Sequence, residues 1–263
     1  MESPRGVRKM PPTFGALVAL TLLWVLLAPA AFADAEADSF IRSMEDQMRS
    51  ETNISTYRMM VIRPDGNREF VMQIWDDRAT DRSFIHILAP VRDADTTFLK
   101  VEGNLWMYLP RLERDIRIPP AMMLNSWMGS DFTNDDLVNE SSALDDYDNI
   151  ILGREPGPDG TEVVTIESIP HEDAPVVWGK VVLRIRPDGV PVSQNFYDED
   201  GVLVRTMSFE NVAEVDGRTL PLRWVMESLI DPGHSTVLDL EDMAFDQMIP
   251  DDVFTRANLS RRR

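Results

Sequence analysis

The side chains that could do chemistry are few and scattered. The chain has no cysteine and three histidines, His86, His171 and His234, which lie far apart in the sequence. A histidine that acts as a base or a metal ligand needs a partner, and no spacing here supplies one. No Gly-x-Ser-x-Gly, P-loop or His-Glu-x-x-His sequence occurs either. The sequence therefore predicts no catalytic site, no metal site and no cofactor.

Carboxylates are abundant, and two acidic runs occupy residues 131–136 and 145–148. Such hard oxygen ligands bind calcium, but the EF-hand spacing with its glycine and terminal glutamate is absent. We interpret both runs as solvated loop and helix-cap residues. A pair of carboxylates for glycoside hydrolysis meets in space and not in sequence, so a secreted hydrolase with an unrecognised acid pair stays an alternative.

Charge excludes one class of partner. The chain has 45 acidic and 26 basic residues, with a formal net charge of −19. Nucleic-acid affinity is built mainly on neutralising phosphates, so DNA and RNA are excluded as partners.

The first 33 residues read as a signal peptide. Three basic residues precede the apolar stretch 14–27, Pro29 ends the helix, and residues 31–33 show the small-x-small pattern of a cleavage site before Asp34. An uncleaved inner-membrane anchor is the alternative, since residues 14–33 are just long enough to span a bilayer. The expected product is a periplasmic protein with a single domain over residues 34–263, without a cysteine for lipid attachment.

The remaining sequence is mainly that of antiparallel strands. Residues 35–49 fit one amphipathic helix, because Phe40, Met44 and Met48 recur at helical spacing. An Asp-Gly pair between alternating segments marks a tight hairpin. Such pairs stand at 65–66, 159–160, 188–189, 200–201 and 216–217, and Pro-Gly follows at 232–233. The later turns are too closely spaced for helical crossovers, so the second half is predicted to be a meander of neighbouring strands.

Residues 119–139, between the two halves of the sheet, have a different sequence pattern from the strands. We predict a short Met-rich helix over 121–127, a break at Gly129, and a second helical turn within 131–137. Another short helix is expected at residues 249–254.

Methionine and tryptophan gather beside and within this segment. Methionine is unbranched and polarizable, so it lines surfaces that accommodate variable apolar shapes, although any single one can simply pack a core. A loop-rich segment with such residues can act as a lid. The residues predicted to bind lipid are Met72, Ile74, Leu105, Met107 and Leu109 as a groove wall, and Met122, Met123, Trp127 and Met128 as a lid.

Three motifs carry a family resemblance. The strand motif W-x-Y-x-P stands at Trp106–Pro110, a basic strand follows at Arg114–Arg117, and Met128–Phe132 reads as an "mGsDf" segment before an acidic turn. In these motifs the chain resembles the LolA-like outer-membrane lipoprotein-sorting proteins, typified by a treponemal lipoprotein domain. The resemblance implies a LolA/LolB-like fold, a curved antiparallel sheet or incomplete β-barrel with helices covering its open side.

The resemblance also implies a function. It indicates a non-enzymatic periplasmic carrier that binds lipid or the acyl chains of lipoproteins and delivers them towards the outer membrane. Candidate partners are an inner-membrane transporter or an outer-membrane acceptor, and we expect the protein itself to be a monomer. An outer-membrane-spanning β-barrel remains the second alternative, because its strands alternate in the same way.

Overall fold

Thirteen antiparallel strands form one curved sheet in the computed structural model, which describes residues 34–123, 125–134, 136, 143–157, 160–174 and 176–261. The predicted signal peptide, residues 1–33, lies outside these ranges. In chain order the elements are α1 (Ala35–Met48), β1 (Thr52–Ile62), β2 (Arg68–Asp77), β3 (Arg82–Ala89), β4 (Thr97–Val101), β5 (Asn104–Leu109), β6 (Arg114–Arg117), a 3-10 helix (Pro120–Met122), β7 (Tyr147–Pro156), β8 (Glu162–Pro170), β9 (Lys180–Ile185), β10 (Pro191–Tyr197), β11 (Leu203–Val215), β12 (Arg218–Ser228), β13 (Ser235–Phe245), a 3-10 helix (Asp251–Phe254) and α2 (Arg256–Leu259).

Neighbours in the sheet are mostly neighbours in the chain. The strand order is β6-β5-β4-β3-β2-β1-β13-β12-β11-β10-β9-β8-β7. The predicted meander is therefore confirmed over β9 to β13, and the predicted mainly β, LolA-like fold class is confirmed as well. The Asp-Gly turn between β11 and β12 contains Gly217 at φ +79°, a conformation that glycine adopts without steric penalty.

The sheet is open, and its two edge strands follow each other in the sequence. β6 forms one edge and β7 forms the other. Residues 118–146, here called the connecting segment, must therefore pass from one edge of the sheet to the opposite edge. In its described part, Asp131 contacts Thr236 of β13 and Asp136 contacts Arg205 of β11, so this part covers side chains of more than one strand.

The connecting segment differs from the predicted helix over 121–127. Its 3-10 helix ends at Met122, and Ser126 forms an isolated bridge with Thr133. The amide of Trp127 donates to the carbonyl of Phe132 at 2.8 Å, so this backbone closes a loop instead of a helical turn. The helix prediction was wrong because the Gly129 turn, at φ +78°, folds the chain back on itself. The helical turn expected within 131–137 is seen at Asn134 and Asp136.

The sheet has two distinct faces. The inner face carries two apolar clusters: cluster 1, on β1 to β5, includes Met59, Phe70, Met72, Ile87, Phe98 and Leu105, and cluster 2, on α1 and β7 to β12, includes Ile41, Val164, Ile166, Leu183, Met207 and Met226. The outer face carries cluster 3, built on Phe84, Leu99, Phe254 and Leu259. The predicted alternation in β5 is confirmed, since Leu105 and Met107 pack in cluster 1 while Trp106 and Tyr108 pack in cluster 3.

The outer face is closed in two ways. The 3-10 helix Asp251–Phe254, which matches the short helix expected at 249–254, and α2 cover cluster 3 through Phe254 and Leu259. Elsewhere cross-strand ion pairs span the outer face, as between Arg58 and Glu241 (2.6 Å) and between Arg223 and Asp239 (2.6 Å). Alternation of apolar and charged positions thus turns one face to the core and the other to water.

Helix α1 covers the inner face on the side of cluster 2. Asp34 caps its first turn by accepting from the amide of Glu36 at 2.9 Å, and its apolar stripe buries Ala37 and Ile41 completely. At its other end Arg218 donates to the carbonyls of Asp46 and Arg49, which supplies positive charge at the helix C-terminus. The helix predicted at 35–49 is confirmed.

A glycine in the β9–β10 turn allows this close approach of α1. A Cβ added to Gly189 would lie 2.6 Å from the carbonyl oxygen of Ser43 on α1, whereas one added to Gly201 would meet nothing within 4 Å. Both glycines have nearly the same backbone, at φ +82° and +77°. Gly201→Ala should therefore lower the free energy of unfolding by about 1 kcal/mol, through backbone strain alone.

Gly189→Ala should lower it by at least about 2 kcal/mol, because α1 must also shift away from the turn. Urea unfolding of the two variants measures the difference. Equal losses would show that contact between α1 and the turn contributes nothing to stability.

Candidate functional site

The two inner-face clusters join in the middle of the sheet. Cross-strand partners run from Met59 on β1 to Leu238 on β13, from Leu238 to Trp224 on β12, and from Trp224 to Phe209 on β11. Directly opposed residues of antiparallel strands point to the same face. The apolar inner surface is therefore continuous from cluster 1 to cluster 2.

A central strip of this surface is only half-buried. It consists of Phe209, Trp224, Leu238 and Leu240, each packed at the margin of a cluster. These residues lie near the middle of their strands. Helix α1 contacts the beginning of β12, where the side chain of Gln47 donates to the carbonyl of Thr219. The connecting segment contacts the beginning of β13, where Asp131 accepts from the hydroxyl of Thr236. The strip lies between these two covers.

Aromatic rings form the floor of the strip. The Trp224 ring makes edge contacts with Tyr57 at 6.0 Å and with Phe209 at 5.7 Å between centroids. Burial raises the pKa of the Tyr57 hydroxyl far above its ordinary value, so this group stays neutral. The floor is thus apolar and uncharged, and it suits hydrocarbon better than polar substrates.

Most of the residues predicted to bind lipid come together in cluster 1. Met72, Leu105 and Trp127 are fully buried members, and the half-buried residues packed against them include Ile74, Met107, Met123 and Met128. The predicted wall and lid thus touch each other across the inner face.

Two predicted residues lie elsewhere. Met122, at the end of the 3-10 helix, is 43% exposed and Leu109 is the last residue of β5; neither belongs to cluster 1 as the described residues define it. The side chain of Met122 does not follow Met123 inward, because a 3-10 turn points successive side chains in different directions.

Sequence reasoning missed the central strip. Phe209, Trp224, Leu238 and Leu240 follow strands whose alternation could be read from the sequence. The sequence does not reveal the register in which one strand pairs with the next. Only the observed register aligns these four residues on the same face as the predicted wall.

Arginines fasten the connecting segment across the end of the sheet. Arg63, just after β1, binds the carboxylate of Asp131 at 2.9 Å and the carbonyl of Gly129 at 2.7 Å. The same carboxylate accepts from the Thr236 hydroxyl at 2.6 Å. Asp131 is thus held by two strands that are neighbours in the sheet, and it carries the segment over them.

The second anchor is a buried ion pair. The guanidinium of Arg205 on β11, 7% exposed, binds both carboxylate oxygens of Asp136 at 2.7 and 3.0 Å. The rings of Trp178 and Phe196 lie 4.2 and 4.3 Å from its central carbon. The two rings also pack against each other, with centroids 5.0 Å apart, so they form one aromatic corner beside the guanidinium. A bidentate pair beside aromatic rings is a strong and directional contact.

Metal chemistry receives no support from the described residues. Among them no group of three or more His, Cys, Asp or Glu side chains is placed to hold an ion. His86 and His171 each meet a single carboxylate, that of Asp95 at 3.0 Å and that of Asp148 at 3.3 Å.

A surface depression of about 470 Å³ beside α1 is lined by polar residues such as Arg42, Asp46 and Arg218. It does not coincide with the apolar inner face, and we do not assign it to lipid. Within the described ranges no helix combines the length and apolar character needed to cross a bilayer.

Solved structures share this fold. A domain named for outer membrane lipoprotein sorting, from Vibrio parahaemolyticus, superposes with a TM-score of 0.75 at 22% identity, over 86% of this chain and 99% of its own. A DUF1329 family protein from Desulfovibrio piger gives 0.78 at 22% identity, over 87% and 99%. A LolA superfamily protein from Nitrosomonas europaea gives 0.70 at 22% identity, over 84% and 98%.

Sequence comparison places the chain in a family. No curated protein is significantly similar to it in sequence. A family model with the description "Uncharacterized protein" matches residues 79–261, which is more than half of the chain. The protein therefore belongs to that family, and its fold is the LolA-like fold of the lipoprotein-sorting proteins that it resembles.

Proposed function

We propose that this protein is a carrier that binds lipid, or the acyl chains of lipoproteins, along the inner face of its sheet. The observation that carries the proposal is the half-buried central strip, which continues cluster 1 and cluster 2 and lies between α1 and the connecting segment. Surface apolar areas of this kind usually serve to bind a ligand or a partner.

The energetics favour hydrocarbon as the ligand. Each methylene removed from water contributes about 0.8 kcal/mol, so a sixteen-carbon chain carries roughly 12 kcal/mol of gross hydrophobic free energy. A protein that moves such a chain through water must cover most of it. The central strip supplies aromatic and aliphatic contacts and contains no charged side chain. The ion pairs of the connecting segment, Arg63–Asp131 and Arg205–Asp136, lie near the ends of the strands.

We assign two parts to the site. The wall contains Met72, Ile74, Leu105, Met107 and the central strip, and the lid is the connecting segment around Met123, Trp127 and Met128. Met72 and Leu105 are each 2% exposed, so they lie beneath the surface that the ligand contacts. The half-buried residues of the wall contact the ligand directly. The lid must move for a chain to enter cluster 1.

The cellular role is part of the same proposal. The neighbours' names, which refer to outer membrane lipoprotein sorting and the LolA superfamily, support a carrier without enzymatic activity. With residues 1–33 as a cleaved signal peptide and residues 34–263 as one domain, the protein works as a monomer in the periplasm. It accepts its cargo from the inner membrane and delivers it towards the outer membrane, with a transporter or an acceptor protein as partner.

Bound lipid tests the function directly. Protein purified without detergent from a periplasmic extract should release acyl lipids into organic solvent, as detected by mass spectrometry. The delipidated protein should bind the dye N-phenyl-1-naphthylamine, and methyl dodecanoate should displace it. Protein that releases no lipid and binds no dye would rule out the carrier function.

A further inference from the structure

Two buried side-chain nitrogens lack a hydrogen-bond partner within the described residues. They are Nε1 of Trp127 and Nε of Arg205. Buried polar groups are nearly always paired, because an unpaired donor loses its water without compensation. Each exception therefore needs a physical reason.

The surroundings of Arg205 supply that reason. Its other two nitrogens bind the Asp136 carboxylate, one of them also reaches the carbonyl of Asp131 at 3.1 Å, and the rings of Trp178 and Phe196 lie beside the guanidinium. The charge is compensated, and one N–H without a partner is tolerated.

Trp127 has no comparable compensation. The residue is 3% exposed, its ring lies 5.4 Å from that of Phe98, and it belongs to cluster 1. The half-buried neighbours around this cluster are aliphatic side chains and methionines, whose sulfur is only a weak acceptor. The indole N–H is thus buried at an apolar cluster and has no acceptor among the residues that the structure describes.

The backbone holds the indole in this place. The carbonyl of Trp127 accepts from the amide and the hydroxyl of Ser130 at 2.9 and 2.7 Å, and its amide donates to Phe132. The next carbonyl, that of Met128, accepts from Arg68 at 3.3 Å. The loop is thus closed on itself and fastened to β2, which holds the backbone from which the indole extends.

We propose that the indole N–H of Trp127 donates a hydrogen bond to an acyl carbonyl oxygen of the bound lipid. The inference rests on the proposed function and narrows its substrate class to acylated molecules, either esters or free fatty acids, as opposed to plain hydrocarbons. In this arrangement the chain lies along the inner face and its carbonyl end stops at the lid. Ligand binding then satisfies a donor that the empty protein leaves unpaired.

Trp127→Phe tests the proposal, because it removes the N–H and keeps an aromatic ring. Displacement of N-phenyl-1-naphthylamine is measured with methyl dodecanoate, dodecanoic acid and pentadecane. The variant should bind the ester about fivefold more weakly, which is the usual effect of one lost neutral hydrogen bond. Its affinity for pentadecane, which reports only the smaller ring, should fall clearly less than its affinity for the ester.

The two acyl probes separate the sources of the carbonyl. A loss confined to the ester indicates a glycerolipid or lipoprotein cargo, and a loss confined to the acid indicates free fatty acids. Trp106→Phe, on the outer face, is the matched control and should alter none of the affinities.

A second measurement does not depend on the variant. In ¹⁵N-indole NMR spectra of the parent protein, methyl dodecanoate or dodecanoic acid should shift the Trp127 indole proton downfield, and pentadecane should not. Equal losses of affinity for all three probes, or an indole resonance that does not shift with either carbonyl probe, would overturn the inference. Neither result would contradict the carrier function. A parent protein that binds none of the probes would instead refute the carrier function itself.

Discussion

Arg205→Met is expected to lower the free energy of unfolding by about 3 kcal/mol, the largest loss that we predict for a single side chain on this sheet. Methionine keeps most of the volume that packs against Trp178 and Phe196 but removes the charge. Asp136 then retains its negative charge, 23% exposed, opposite an apolar side chain. Removing one partner of a buried ion pair costs more free energy than the intact pair contributes, because the ion that remains has already lost most of its water.

The loss should be specific to the buried pair. Arg184→Met breaks a pair with Glu155 whose side chains are 33% and 56% exposed, and it should lower stability by less than about 1 kcal/mol. Urea unfolding of both variants gives the comparison. If the two losses are equal, the Arg205–Asp136 pair does not anchor the connecting segment.

Leu238→Asp is expected to weaken lipid binding at least tenfold while the protein stays folded. A carboxylate in the middle of the central strip must either keep its water, which excludes the chain, or lose it without a partner. A tenfold loss corresponds to about 1.4 kcal/mol, well below the cost of burying an unpaired charge, so tenfold is a lower bound.

The neighbouring residue provides the control. Val237 is also half-buried but points to the outer face, opposite Val225 and Met60. Val237→Asp should leave displacement of N-phenyl-1-naphthylamine by methyl dodecanoate unchanged. Circular dichroism confirms that both variants are folded. If Val237→Asp and Leu238→Asp bind equally well, the ligand does not lie on the central strip.

Local patterns predicted much of the architecture. The apolar stripe of α1 and the Asp-Gly turns of the second half are consequences of side-chain periodicity and backbone sterics, which act over a few residues. The alternation in β5 likewise assigns Leu105 and Met107 to one face and Trp106 and Tyr108 to the other, because successive side chains of a strand point in opposite directions.

The errors lie where distant residues decide the conformation. Residues 121–127 have the composition of a helix, but Ser126 forms a bridge with Thr133. The carbonyls that follow, those of Met128 and Gly129, accept from arginines at the end of the sheet. Propensity is a weak preference that such tertiary contacts override.

The amino-acid sequence by itself determined the strand content, the turn positions, the excess of negative charge and the gathering of methionine and tryptophan around the connecting segment. These properties depend on residue type and short-range spacing. Only the tertiary structure decided that Phe209, Trp224, Leu238 and Leu240 share a face with the predicted wall. It also decided that the indole N–H of Trp127 is buried with no acceptor among the described residues. Strand register and burial arise from contacts between residues far apart in the chain, and a one-residue shift in register would turn each of these side chains to the opposite face.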